Sequence, residues 1–266
     1  GALGAVTGDE FARTSTDGLF GETRVTPRAY WGVTRVQQEF GSQGSTAGAQ
    51  ITAMHRDFAA DDPLASRLTR TAITGAMDSR MRFRNRTYET SLSAGFTYVE
   101  GEPAAIERTQ RANGHLYQRP DQDEVRLDPS RTSMGGMQIR TSLDKIAGRH
   151  WLWGGNVMIE SPDFEPNDFG RLNYAGDVQS NLRIRYRETQ PGRHFRSYSF
   201  QVQSSSTSYY QRSLGARVNT SANMDLSFNN FWSMNANVNR NFRGQDVQLT
   251  HGGPSILSLA CQTSGF

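Results

Sequence analysis

Alternation with a two-residue period runs through most of the chain. It is cleanest over 174–188, where Tyr174, Gly176, Val178, Ser180, Leu182, Ile184 and Tyr186 share one parity and Asp177, Gln179, Asn181, Arg183, Arg185 and Arg187 the other. A helix would set Leu182 and Ile184 about 200° apart, whereas a strand sends both to one face and the three arginines to the opposite one. The segment therefore predicts a strand. Residues 214–228 repeat the pattern, with Leu214, Ala216, Val218, Ala222, Met224, Leu226 and Phe228 opposite Arg217, Asn219, Ser221, Asn223 and Asp225. After Asn229 and Asn230, Trp232, Met234, Ala236, Val238 and Phe242 face away from Ser233, Asn235, Asn237, Asn239 and Asn241. This predicts a hairpin whose two central asparagines tolerate positive φ. Weaker alternation marks 149–160 and 87–100.

With the less regular stretches, strands are predicted near 24–39, 45–57, 68–83, 87–100, 132–144, 149–160, 173–188, 193–205, 213–228 and 231–243, with the tail of another at 1–8. That makes about eleven visible strands, far longer than the usual ~5–6 residues and long enough to cross a bilayer at a tilt. Their connections alternate in length. Those at 40–44, 84–86, 145–148, 189–192 and 229–230 are short, while 9–23, 58–67, 101–131 and 161–172 are long. Tight turns at one rim and long loops at the other mark outer-membrane barrels, and a soluble sandwich has no reason to keep that asymmetry.

The spacing of aromatics agrees. Tyr174 and Tyr186 would lie roughly 30 Å apart along a barrel axis, and Trp232 and Phe242 roughly 25 Å. A lipid-facing aromatic girdle is accordingly expected at Tyr88, Tyr98, Trp151, Trp153, Tyr174, Tyr186, Trp232 and Phe242. The alternative is that these rings pack an ordinary soluble core.

Composition narrows the classes. The 266 residues are 35% hydrophobic and 21% charged, with mean hydropathy −0.65, and no stretch approaches the ~20 apolar residues of a spanning helix. The 10% aromatic content argues against a disordered chain. The 29 basic residues are 28 arginines and Lys145, yet the net charge is only +3, without the concentrated positive field of a nucleic-acid binder. Cys261 stands alone and the five histidines are scattered, so no disulfide framework and no multi-cysteine or zinc site is expected. No cofactor is implied, because no glycine-rich phosphate loop follows a strand and no G-x-S-x-G elbow exists.

Among polar residues, Arg80, Arg82, Arg84 and Arg86 form one row and Arg183, Arg185 and Arg187 another. Charges on a lipid face cost about 2–4 kcal/mol each near the midplane, so these rows are expected in the lumen or at a rim. They either attract anionic solutes and lipopolysaccharide phosphates or pair with carboxylates such as Glu89, Asp177 and Asp225. Asp163, Glu165 and Asp168 offer a candidate cation-binding loop without EF-hand spacing. Glu160 with Asp163 would be the pair for a loop-borne hydrolase, although a solvated loop with Asx turns accounts for the same residues. In the 101–131 loop, PAAIERTQRAN (103–113) has helix-forming composition.

Three segments carry a resemblance: GHLYQRPD (114–121), HWLWGGNVMIESPDFEPNDFGRLNYAGD (150–177) and NVNRNFRG (237–244). The chain resembles a bacterial outer-membrane barrel family of unknown function that occurs C-terminal to a family-9-type carbohydrate-binding domain. The likeness extends from residue 1 to about residue 254, while the tail 255–266 departs from it. The resemblance implies an envelope protein with a binding domain upstream, and it implies no catalytic residue.

The expectation is thus an all-β chain, a single domain over 1–266, forming an antiparallel transmembrane up-and-down barrel. It is expected to be incomplete, because bacterial barrels are even-numbered and Gly1 is preceded by no export signal. The expected function is a non-enzymatic pore, anchor or display scaffold of the bacterial outer membrane. Its expected partners are membrane lipid and lipopolysaccharide, with glycans reached through the upstream domain. The alternatives are a soluble carbohydrate-binding module using Trp151, Trp153 and Trp232, and a membrane-associated hydrolase.

Overall fold

The computed structural model describes every residue except Asp17, Glu124, residues 211–214 and Phe266; the predicted strand position at Leu214 therefore lies outside the described residues. The elements are β1 (Ala2–Thr7), β2 (Glu10–Thr16), β3 (Leu19–Thr26), β4 (Ala29–Phe40), β5 (Ser45–Arg56), β6 (Thr71–Phe83), β7 (Tyr88–Glu100), α1 (Pro103–Arg111), β8 (Ser133–Lys145) and β9 (Trp151–Glu160), then β10 (Asp177–Glu188), β11 (Phe195–Tyr209), β12 (Arg217–Phe228), β13 (Ser233–Asn241), β14 (Gly244–Asp246), β15 (Ile256–Ser258) and β16 (Cys261–Gly265).

Twelve strands form one sheet in the order β1-β4-β5-β6-β7-β8-β9-β10-β11-β12-β13-β16. Every neighbouring pair is antiparallel. From β4 to β13 the path is a plain meander, as the hairpin signals predict. Hairpins β2–β3 and β14–β15 stand apart as two-stranded sheets.

Four expectations are corrected. The loop predicted at 9–23 is the β2–β3 hairpin. The strand predicted from 24 begins at Ala29, because Pro27 has no N–H to give a ladder. The tail after 254 supplies β15 and β16, and β16 pairs with β13 through its backbone despite lacking an apolar alternation. Finally, twelve strands rather than eleven share the sheet, and no closed barrel is found among the described residues: β1 and β16 are its two edges.

Register sets the two faces. Directly paired residues share a face, so Leu182 of β10, Gly155 of β9, Leu143 of β8 and Thr90 of β7 form one row. Rows of this parity carry Val36, Ile51, Met77, Phe96, Ile139, Val157, Ile184 and Val202, and all of these are exposed; Met77 and Leu182 are 70% and 68% exposed. Hydrophobic residues here point outward from every central strand. The opposite face holds the charged and amide residues and, toward the long-loop end, the main buried cluster of Met54, Ala72, Val99, Met134, Ile106 and Tyr117.

The five short turns form a linked rim. The Arg86 backbone N–H donates to Gln43 Oε1 and its Nε to Gln43 O, both at 3.0 Å. Ile146 N–H donates to Thr87 O at 2.9 Å, Arg149 Nη2 to Gln190 Oε1 at 3.1 Å, and Asn229 Nδ2 to Gly192 O at 2.9 Å. Turn 84–87 needs three successive left-handed residues, Arg84, Asn85 and Arg86. In turn 229–232 the positive φ falls on Phe231, not on the two asparagines.

Candidate functional site

The polar face is the candidate site, and it has an open part and a covered part. Toward the short turns it carries the arginines. Arg82 Nε lies 2.8 Å and Arg80 Nε 3.6 Å from the Glu89 carboxylate, so that expected pairing is present. Arg84 and Arg86 leave the row, because they lie in the turn after β6. Arg183 pairs with Asp144 at 2.8 Å. Arg185 Nη2 donates to Ser199 Oγ, whose hydroxyl in turn donates to Asp225, each at 3.1 Å. Arg187 Nη2 reaches Gly148 O at 3.4 Å. Asp177 accepts from Gln179 Nε2 instead of from an arginine of these rows. Toward β12 and β13 the face becomes an amide floor: Asn219 Nδ2 donates to Asn239 and Asn241, both at 2.6 Å, and Asn235 Nδ2 to Asp225.

The long loops cover the other end. Helix α1 starts with proline at its first turn, as its sequence favours, and buries Ala105, Ile106 and Gln110. Gln110 exchanges two hydrogen bonds with the backbone of Asp128, which folds the 101–132 connection back on the helix. Adjacent residues of that connection then serve two clusters: Tyr117 joins Met54, Val99 and Met134, while Leu116 joins Tyr174, Tyr209 and Val247. One segment thus spans the polar face from β5 to β11.

Loop 161–176 lies beneath this segment and is locked to it. His115 is buried, with Nδ1 2.9 Å from Pro162 O and Nε2 2.7 Å from Glu165 Oε2. The Tyr117 hydroxyl donates to Asp163, which also receives both Arg131 Nη atoms at 3.2 Å. Burial, with the Asp163 charge adding to it, pushes the Tyr117 phenol far above its ordinary range. Burial likewise pushes Tyr174 up to about 12. Asp168 accepts from Arg56 at 2.7 Å and Thr69 at 2.8 Å. The loop backbone sits so close to β8 at Gly136 that a Cβ there would meet Phe164 N at 2.2 Å.

This arrangement takes the candidate cation loop apart. Asp163, Glu165 and Asp168 each have a separate partner, and among the described residues no group of three or more His, Cys, Asp or Glu could hold a metal ion. Glu160, the other carboxylate of the hydrolase reading, is tied to Gln138. Sequence reasoning missed His115, Tyr117 and Arg131, whose importance arises from burial between two loops far apart in the chain.

The expected girdle divides. Tyr88, Trp151, Trp153, Tyr186 and Trp232 gather at the short-turn end, whereas Tyr98 and Phe242 lie at the long-loop end. Tyr174 is a correction: it precedes β10 and is buried edge-on against Tyr209 at 5.9 Å, because the strand begins only after Gly176 turns at positive φ. The aromatic band is consequently concentrated at one rim, where Trp151 meets Tyr186 at 5.0 Å and Tyr186 meets Tyr198 at 6.1 Å.

Comparison with family models matches residues 77–248 to the domain of unknown function DUF5916, and the chain belongs to that family. The matched span runs from β6 through β14 and includes α1 and both locked loops. No curated protein and no solved structure matches the chain.

Proposed function

We propose that this chain is a membrane-spanning part of a bacterial outer-membrane β-barrel with a non-enzymatic anchoring or scaffolding role. The carrying observation is the outward apolar face: large aliphatic and aromatic side chains stay exposed on every strand from β4 to β11 and again on β13, while those of β12 are half-buried. Soluble monomers rarely leave contiguous apolar patches beyond a few hundred Å², whereas hydrocarbon removes the penalty. The arginines and amides occupy the other face, where a lumen would hydrate them. The alternating loop lengths fit the same arrangement.

The loop cover favours an obstructed interior over an open pore, since the 101–132 segment crosses the polar face on two buried clusters. The link to glycans is carried by the family resemblance.

The test is membrane assembly of facing variants in a Gram-negative host. Leu182→Arg, on the outward face, should abolish recovery from the outer-membrane fraction, while Asn181→Arg, on the polar face, should preserve it. Recovery of the unmodified chain as a detergent-free soluble monomer would overturn the reading, as would equal behaviour of the two variants.

A further inference from the structure

We infer that the short-turn rim is a docking surface for anionic phospholipid headgroups, so that the sheet is seated in a leaflet by phosphate contacts as well as by its apolar face. The inference rests on the membrane reading above and adds to it a specific lipid chemistry and a specific rim.

The first observation is charge. The connections 41–44, 84–87, 146–150, 189–194 and 229–232 contain Arg84, Arg86, Arg149, His150, Arg193 and His194 and not one aspartate or glutamate. Of the acidic side chains on the adjoining strand ends, only Glu39 of β4 has no ion pair among the described residues, and the others are engaged. Glu89 faces Arg80 and Arg82, Asp144 faces Arg183, and Glu188 accepts from the N–H groups of Thr189 and Gln190 with His150 at 3.3 Å. Arg84, Arg86, Arg149 and Arg193 are exposed and form no ion pair among the described residues. The opposite rim is different: loops 57–70, 101–132 and 161–176 mix arginines with many carboxylates.

The second observation is aromatic. On the outward face beside this rim, Phe83 stacks on Tyr88 at 5.5 Å and Tyr88 meets Trp153 at 6.0 Å. Farther along, Tyr198 meets Phe195 at 5.8 Å and Phe195 meets Phe228 at 5.2 Å, with Phe231 and Trp232 exposed in the last turn. Aromatic rings of this kind settle at headgroup depth, which sets the arginines at the level of the phosphates, where a guanidinium offers a bidentate fork. The links between turns hold the cations in a fixed arc, so little freedom is lost when lipid is bound.

The experiment compares the full chain on vesicles of neutral phosphatidylcholine with vesicles that also contain phosphatidylglycerol. Insertion should occur on both, with tighter partitioning on the anionic ones that disappears at high salt. The double variant Arg84→Gln, Arg193→Gln removes two cations whose side chains support no turn hydrogen bond. It should lose about fivefold per arginine on anionic vesicles and nothing on neutral ones. The control Arg108→Gln, Arg171→Gln, on the opposite rim, should lose nothing on either. Insertion that is indifferent to phosphatidylglycerol, or an equal loss for both double variants, overturns the headgroup inference and leaves the membrane reading standing. Failure to insert into either vesicle overturns both.

Discussion

Asp144 of β8 and Arg183 of β10 form an ion pair at 2.8 Å although a whole strand lies between them. Both residues are register partners of the same position on β9, Gly154, and a Cβ there would come within 1.9 Å of Asp144 Oδ1. The missing side chain is what lets the pair close. The device recurs on β5, where Arg35 and Asp78 meet at 2.8 Å over Gly48.

Gly154→Ala should therefore destabilise the sheet by about 1 kcal/mol, the order of a part-exposed ion pair, even though alanine is ordinarily easier to order than glycine. In the Asp144→Ala background the same change should cost nothing or stabilise. A double-mutant cycle by chemical denaturation measures the difference; additive effects would show that Gly154 has no part in the pair.

Gly136→Val should lift loop 161–176 from the sheet, because the backbone of Phe164 occupies the space a side chain would need. Limited proteolysis should then cleave within the loop while strand content by circular dichroism stays unchanged. Resistance equal to that of the unsubstituted chain would contradict the close approach.

The His115–Glu165 contact has a defined hydrogen-bond logic. Pro162 O can only accept, so Nδ1 carries a proton, and Nε2 either donates to the carboxylate or accepts from its protonated form. Glu165→Gln still offers His115 a partner and should cost under about 1 kcal/mol, whereas Glu165→Leu leaves Nε2 buried and unsatisfied at about 1–3 kcal/mol. Thermal or denaturant midpoints separate the two.

Loop docking should weaken in acid. Hydrogen bonds from Ser130 hold the Asp128 carboxyl below its ordinary value. Arg24, with the Arg28 N–H, does the same for Asp9. For Asp121, burial pushes upward but hydrogen bonds from Ser255 and the Arg119 charge outweigh it. A carboxyl lowered on folding contributes stability that is complete above its unfolded value of about 3.9 and lost as pH falls through the folded one. Hydrogen-exchange protection in 101–132, taken relative to the intrinsic rate at each pH, should hold to about pH 4 and fall below it, with a flatter profile for Asp128→Asn.

Much of the sheet was legible because its strands alternate over a dozen residues. Leu182 against Arg183 fixes a facing, and the short stretch 189–192 fixes a tight turn, which in the structure extends to 194. β16 was not legible, since Gln262 and Ser264 belong to an edge strand that pairs through backbone alone. Tyr174 misled because it continues the parity of β10 while the backbone has already left the strand at Gly176. The helix at Pro103–Arg111 was visible in composition, but the contacts it organises were not. His115 and Glu165 lie fifty residues apart, and no periodicity links two loops that meet only after the sheet has formed.

The ties between neighbouring turns act as a gauge for hairpin alignment. Alternation punishes a slip of one residue, because every side chain would change face, but it cannot detect a slip of two. Such a slip would displace one turn by roughly 7 Å along the strand direction and pull Gln43 from Arg86, or Asn229 from Gly192. Misaligned hairpins that patterning alone would accept are thereby rejected at the rim.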